Sequence, residues 1–481
     1  MADTIKLVAQ MHAFEAGRAV RVASHQQIVI QPHALVICPL AMAGEDTTIH
    51  AVAVGEIGAE PQIRIVPDPR VRDDQYALVL WLGQIIEGYY QRCRAGADFP
   101  QIWTSSGAAA GHLDVLADRL RFVRDNSPVQ RVGALLTYVT ERAPLEGQQA
   151  LMTMTGALSA HYATGQQDGE NEHLGALLAW LAPPADGDTR RAVAIAERQI
   201  MGVKTDPEFD RVELQPRISS YHEAVKQGAS PAHIQMRVTA IENALTPIVA
   251  GVFAATQRGF AFLLGQFPPA GMLAELKARE ADIFANFMQA RDDGLPLPYR
   301  DTPKAAAFKM AEREHAAQSV ESGAVYGDAV AQARARLSGE ILSGRVCGVS
   351  VTKSGRKSIL RFVVETTQTN LHIRDHDTLA WLSDARLKCT IEGVDKQGDS
   401  TKVQLRISEG MRTFGLPAVG TEIEFAPPPP DWHSLGRQRK KMADRLATAP
   451  WTHVRDAAPP HNTPHNAVPP GDLLAAIEAL R

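Results

Sequence analysis

At Gly339 the chain changes its periodicity, and this change limits the possible folds more than any other feature of the sequence. From 130 to about 340, apolar residues recur at three-to-four spacing, the mark of amphipathic helices. Beyond Gly339, GEILSGRVCGVSV, SILRFVVETTQTNLHIR, ARLKCTIEGVD, TKVQLRIS and TEIEFAP read as short alternating strands. Turns at KSGRKS (353–358), DKQGDS (395–400) and SEGM (408–411) join them. Five or six strands in this length predict a small antiparallel β-barrel of OB or SH3 size over 339–430. Pro427 to Pro430 end it, because consecutive prolines cannot donate to a ladder.

The other end of the chain reads differently. QQIVIQPHALVICPL, TTIHAVAVGEI and PQIRIVP are Val- and Ile-rich strand candidates within 26–66. A helix fits 75–93, where Leu78, Leu82, Ile85, Ile86 and Tyr89 share a face. A strand at 100–106 and a helix at 112–123 follow, so β-β-β-α-β-α predicts an α/β domain over 1–130. The middle, 131–338, reads as an irregular helical domain with segments 131–141, 147–163, 172–182, 189–201, 231–257, 271–291 and 303–338. Pro/Gly punctuation separates these segments and no fixed repeat period links them. Residues 431–481 hold a basic helix (434–447), a His/Pro-rich linker and a short terminal helix. The expected fold class is therefore α+β multidomain.

Length and composition narrow the function classes. The 481 residues include 45% apolar and 22% charged residues, ordinary values for a globular protein. The net charge of −4 provides no global basic field, so a nucleic-acid contact requires a local patch. Cys38, Cys93, Cys347 and Cys389 are scattered without a C-x-x-C pair, which argues against a zinc knuckle or redox motif. No signal peptide and no run of eighteen apolar residues is read, so the expectation is a cytoplasmic protein without membrane contact. There is no G-x-x-x-x-G-K-[ST], G-x-S-x-G, H-E-x-x-H or G-x-G-x-x-G. The expected enzyme status leans to none, with no catalytic residue, metal or cofactor assigned.

Two regions hold residues suited to metal chemistry. Glu170…His173 and Glu312…His315 have the E-x-x-H spacing of di-metal bundles, with Glu141 and Glu280 as companion acids. Chance supplies about one such pair in a chain with sixteen histidines. A two-metal nuclease needs a carboxylate on the first strand, and HALVICPLAM has none. Glu45, Asp46, Asp68, Asp73, Asp74, Asp114 and Asp118 read as solvated acids around that strand. GQQ at 147–149 and 165–167 brackets one helix as cap and stop, or places Gln148, His161 and Gln166 toward a ligand.

The barrel and the tail carry the positive signal. Lys353, Arg356, Lys357 and Arg361 cluster on one hairpin, with Arg374 nearby. Arg437, Arg439, Lys440 and Lys441 crowd the following helix, together with Arg445. Oligonucleotide-binding barrels track phosphates with such bases and stack nucleobases on aromatics, here Phe362, Trp381, Phe414 or Trp432. Because the barrel has nearly as many acids as bases, a solvated charged face is the competing reading.

The stretch 339–447, with G-x-V entering the barrel, LHIRDHDTLAWL, LPAVGTEIEF and a basic Q-R helix, resembles the region before the motor in superfamily-1B helicases of the RNA-surveillance type. The N-terminal β-β-β-α-β-α order resembles a ribonuclease-H-like exonuclease module. The resemblance covers about a quarter of the chain at the barrel, lacks the exonuclease's first-strand acid, and reaches no Walker motif. It implies a non-motor partner or separated N-terminal half, without catalytic residues. The functional expectation is a non-catalytic nucleic-acid-binding or helicase-accessory protein, with single-stranded DNA or RNA and an ATPase/helicase as partners. Two alternatives stay open. One is a structural or interaction subunit without nucleic-acid contact. The other is a metal-dependent enzyme with a helical-domain site at Glu141, His161, Glu170 and His173.

Overall fold

The computed structural model describes residues 4–123, 127–142, 146–294, 303–354 and 357–430, with 436, 437, 440, 441, 443 and 444. It is a mixed α+β protein, about half helical. Two compact units are formed, Met1–Tyr299 with Ala316–Pro430, and Arg300–His315 with Asp431–Arg481.

The larger unit contains a five-stranded sheet. Its strands are β1 (Leu35–Leu40), β2 (Ala51–Glu56), β3 (Gln62–Ile65), β4 (Ile102–Thr104) and β5 (Leu151–Thr153), in the order β3-β2-β1-β4-β5. The first three pair antiparallel, with Leu35 opposite Glu56 and Leu40 opposite Ala51. β4 joins β1 in parallel, and β5 joins β4 in parallel. β1 reads LVICPL and is buried at every position, as expected of a strand covered on both faces. Pro39 lies beyond the two positions where β1 pairs with β4.

Side chains alternate between the two faces. Leu35, Ile37, Ile102 and Leu151 meet the helices Arg72–Ala95, Gly107–Arg121 and Pro128–Thr140. Val36, Cys38, Leu40 and Trp103 meet Met154–His161, Leu174–Leu181 and Pro231–Gly259. The last of these helices, continued to Phe262, is long and apolar enough by composition to cross a membrane, with a mean hydropathy of 1.5. In this fold its stripe of Ile241, Leu245, Val249, Val252 and Phe253 is buried in the core over the sheet.

The barrel is closed, with six antiparallel strands: β6 (Leu342–Ser354), β7 (Lys357–Thr366), β8 (Thr378–Trp381), β9 (Asp384–Gln397), β10 (Ser400–Glu409) and β11 (Glu422–Ala426). Their order around it is β8-β9-β10-β7-β6-β11. Val346, Phe362, Val364, Cys389, Ile391, Leu405 and Phe425 fill the interior. β7 pairs with β10 only over 361–366, and β6 with β11 over 342–345. The outer parts of β6 and β7 therefore pair with each other as a projecting ribbon that ends at Ser354 and Lys357.

Several expectations change. The sheet runs to β5 at 151–153, past the boundary read at 130, because LMT merges with the helical pattern that follows it. Residues 28–31 are not a ladder strand. Val29 N–H donates to Gln149 Oε1 at 2.8 Å and Gln31 N–H to Gln101 Oε1 at 2.9 Å, so side-chain amides replace a neighbouring strand. The helices Thr4–Ala16 and Gln215–Lys226 have no counterpart among the segments expected from periodicity.

The periodicity change at Gly339 has a physical cause. Gly339 closes the helix Ala329–Ser338 with φ +79°, and a Cβ there would fall 1.7 Å from the Asn370 carbonyl oxygen. Gly339→Ala adds a left-handed strain and a backbone clash. Urea unfolding of this variant should show a loss of about 2 kcal/mol or more; an unchanged midpoint would contradict the close approach.

Candidate nucleic-acid interface

The outer face of the barrel is built by register. Arg361 on β7 stands directly opposite Arg406 on β10, and Arg406 opposite Thr390 on β9. Both guanidiniums converge on Glu392: Arg361 Nε lies 2.5 Å from one carboxylate oxygen and Arg406 Nε 2.9 Å from the other. Arg361 Nη1 also donates to Thr352 Oγ1 at 2.7 Å. Two cations thus share one anion, which leaves the triad one charge positive. Lys353 is exposed on the ribbon next to Thr352, and Arg374 is exposed on the loop before β8.

Elsewhere on the barrel, carboxylates pair the cations singly. Arg345 meets Glu422 at 2.9 Å, Lys388 meets Glu409 at 2.9 Å, and Arg386 meets Asp384 at 2.5 Å. Arg336 from the preceding helix meets Glu424 at 2.7 Å. Such exposed pairs contribute little stability, about 0–1 kcal/mol each, but they cancel the field a polyanion would feel.

The aromatic expectations divide. Phe362 is 1% exposed inside the barrel, 5.8 Å from Phe425, and cannot stack a base. Its neighbour Arg361 faces outward, so strand alternation sends Phe362 inward. Trp381 and Phe414 are partly exposed and meet edge-to-face at 5.8 Å, with Arg386 over the Phe414 ring at 5.6 Å. Arg437, Lys440 and Lys441 are exposed helical residues of the smaller unit. Arg356, Arg439, Arg445, Trp432 and the side chain of Lys357 lie outside the described residues. Sequence reading misses Arg406 and Glu392, although VQLRIS places Arg406 on the same alternating face as its neighbours' polar residues.

The residues considered for a helical-domain centre have separate structural duties. Glu141 pairs with Arg121 at 3.3 Å, and Glu170 accepts from Gln167 N–H at 2.8 Å. His173 caps the helix Leu174–Leu181 by accepting from Ala176 N–H at 3.1 Å. His161 Nδ1 lies 2.8 Å from Ala157 O, and its Nε2 accepts from Gln27 N–H at 3.2 Å. Burial holds its pKa below the usual value. Glu280 forms a buried ion pair with Arg142 at 2.9 Å. Glu312 and His315 belong to the smaller unit. Among the described residues, no group of three His, Cys, Asp or Glu is arranged to hold a metal ion.

The acids around the sheet are not uniformly solvated. Asp68 is buried, accepts from Arg70 N–H at 2.9 Å, and lies 2.7 Å from His222 Nε2. Glu45 pairs with Arg70 at 3.0 Å, Asp46 with Lys204, and Asp118 with Arg121 at 2.7 Å. His50, just before β2, is fully buried, and among the described residues neither ring nitrogen has a hydrogen-bond partner of normal geometry. Burial lowers its pKa to about 4, against a weaker opposing pull from Asp68 and the backbone of Val66 and Pro67.

No protein-family model, curated protein or solved structure matches the chain.

The burial of His50 predicts an acid-sensitive fold. Its folded pKa lies below its unfolded value, so the unfolded chain binds the proton first. The stability it contributes is full above the unfolded pKa near 6.5 and falls as pH drops toward about 4. His112 and His161, both lowered by burial, add the same sign. His50→Leu should flatten the decline in urea stability between pH 6.5 and 4, by roughly 3 kcal/mol at most; an equally steep decline would show that His50 is not its source.

Proposed function

We propose that this chain is a non-catalytic nucleic-acid-binding protein, with the barrel as the module that meets the phosphate backbone. The Arg361–Glu392–Arg406 triad carries the reading. It holds two guanidiniums in one orientation on the outer face, with one carboxylate between them. An incoming phosphate competes with Glu392 for donors that are already aligned, so it orders no flexible side chains. Lys353 on the ribbon extends the cationic surface. The sheet order supports a ribonuclease-H-like origin for the N-terminal module, since three antiparallel strands lead through a helix to a strand parallel with the first. Every position of β1 is buried and none is a carboxylate, which supports a scaffolding role there. A helicase or other ATPase partner would supply the motor chemistry.

A second reading, an interaction subunit without nucleic-acid contact, draws on the paired charges of the rest of the barrel and on Val349 and Val351, which are 44% and 56% exposed on the ribbon. Only the first reading makes nucleic-acid affinity depend on Glu392.

Fluorescence anisotropy of the full chain with labelled oligo-dT and oligo-U separates them. Glu392→Gln should tighten binding several-fold at low salt. The triple variant Arg361→Ala, Arg406→Ala, Glu392→Gln should weaken binding and reduce the salt slope by about 0.7 for each phosphate that is no longer neutralised. Absence of binding, or identical affinity for all three proteins, would remove the barrel from nucleic-acid recognition.

A further inference from the structure

The ribbon of β6 and β7 differs from the rest of the barrel surface in shape and in charge. Beyond Gly348, among the described residues, β6 pairs with β7 alone, from Val349 opposite Phe362 to Ser354 opposite Lys357. A bulge between Val346 and Gly348 marks where the ribbon leaves the barrel, and a bulge bends a strand and sharpens its twist. Val349, Ser350, Val351, Thr352 and Lys353 are all exposed. Successive residues of a strand point to opposite faces, so this strand has solvent on both of them. Six paired residues, 349–354, at about 3.3 Å each give the ribbon a length of roughly 20 Å.

From Arg345 to Val364 the sequence has five bases and no acid. The hairpin of β9 and β10 is the contrast, since Asp395 and Asp399 accompany the lysines around its turn. A mixed hairpin cancels its own field, whereas an acid-free one is stabilised by a polyanion beside it. Residues paired across the ribbon share a face. Ser350 opposite Arg361 and Thr352 opposite Ile359 form one face, which runs on into Arg406 and Glu392. Thr352 Oγ1 accepts from Arg361 Nη1 at 2.7 Å, which leaves its O–H to donate elsewhere.

These side chains decide which form of nucleic acid fits. Unpaired bases are held by stacking on aromatic rings. Between Arg345 and Arg361 the sequence has no Phe, Tyr, Trp or His, and Phe362 is 1% exposed. Small hydroxyl and β-branched side chains flanked by cations suit bases that stay stacked and show only their edges. The major groove of B-form DNA is about 12 Å wide and admits a two-stranded ribbon, whose strands lie about 4.8 Å apart. The major groove of A-form RNA is too narrow for side chains to read.

We propose that the β6–β7 ribbon enters the major groove of double-helical DNA, with Ser350 and Thr352 against base edges, Ile359 against thymine methyls, and Arg361, Arg406 and Lys353 on the flanking phosphates. This rests on the nucleic-acid reading of the barrel and adds the form of nucleic acid bound. Single strands still meet the guanidiniums, but through phosphates alone.

Anisotropy of the full chain tests it with a labelled DNA duplex of about two helical turns, its separated strands, and a duplex RNA of the same sequence. The DNA duplex should bind about tenfold more tightly than either of the others, and binding should protect guanine N7, a major-groove atom, from dimethyl sulfate. Lys353→Glu should weaken duplex binding about tenfold at low salt, whereas Lys396→Glu, the same charge change at an exposed site on β9, should alter it by less than about twofold. Both variants replace exposed side chains, so their Tm should match that of the parent. Equal affinity for duplex and single strands overturns the ribbon proposal and leaves the Arg361–Arg406 reading standing. So does duplex binding that leaves N7 reactive, or an equal loss from the two lysine variants. Binding to none of the three nucleic acids overturns both.

Discussion

The buried ion pair between Arg142 and Glu280 sets the geometry around it. Glu280 is 2% exposed and accepts from two Arg142 nitrogens, at 3.1 and 2.9 Å, and from Gln149 N–H. Taking both charges out of water costs several kcal/mol per ion, and two parallel hydrogen bonds with a third backbone donor offset that cost. The pair fastens the chain after the helix Pro128–Thr140 to the helix Leu273–Asp292, and through Glu280 it also holds Gln149, two residues before β5. From that loop Gln149 reaches Val29, and Gln101 collects Gln31 N–H, the Trp103 indole, Val29 O and Gln149 O. An amide network, with both ends of the Gln101 side chain doubly bonded, therefore grows out from a single charge pair, and the edge of the sheet inherits its position.

This explains which parts of the fold are readable from sequence. The helix Arg72–Ala95 shows itself because Leu78, Leu82, Ile86 and Tyr89 all turn to one core. The barrel shows itself because each strand alternates a filled interior with a charged exterior. The segment 26–31 misleads, since its apolar residues resemble a strand while its hydrogen bonds go to glutamine side chains remote in sequence. β5 hides because three residues are too few to set a period, and only its pairing with β4 defines it.

The candidate sites follow the same division. Arg361 and Lys353 are visible as a local cluster, because a hairpin keeps sequence neighbours near in space. The shared carboxylate Glu392 and the opposing Arg406 come from other strands and need the register. Phe362 reads as a stacking platform until Arg361 beside it is known to point outward, which turns the phenyl ring into the barrel.

The projecting end of β6 and β7 has a consequence of its own. Along β6 beyond Val346 the amide and carbonyl groups on the side away from β7 have no strand beside them among the described residues. That open border presents main-chain donors and acceptors beside the exposed side chains of Val349 and Val351. The lysine at 353 acts there as a gatekeeper, since a second copy of the same ribbon laid alongside would set like charges near each other. Edge-to-edge self-addition is thereby discouraged.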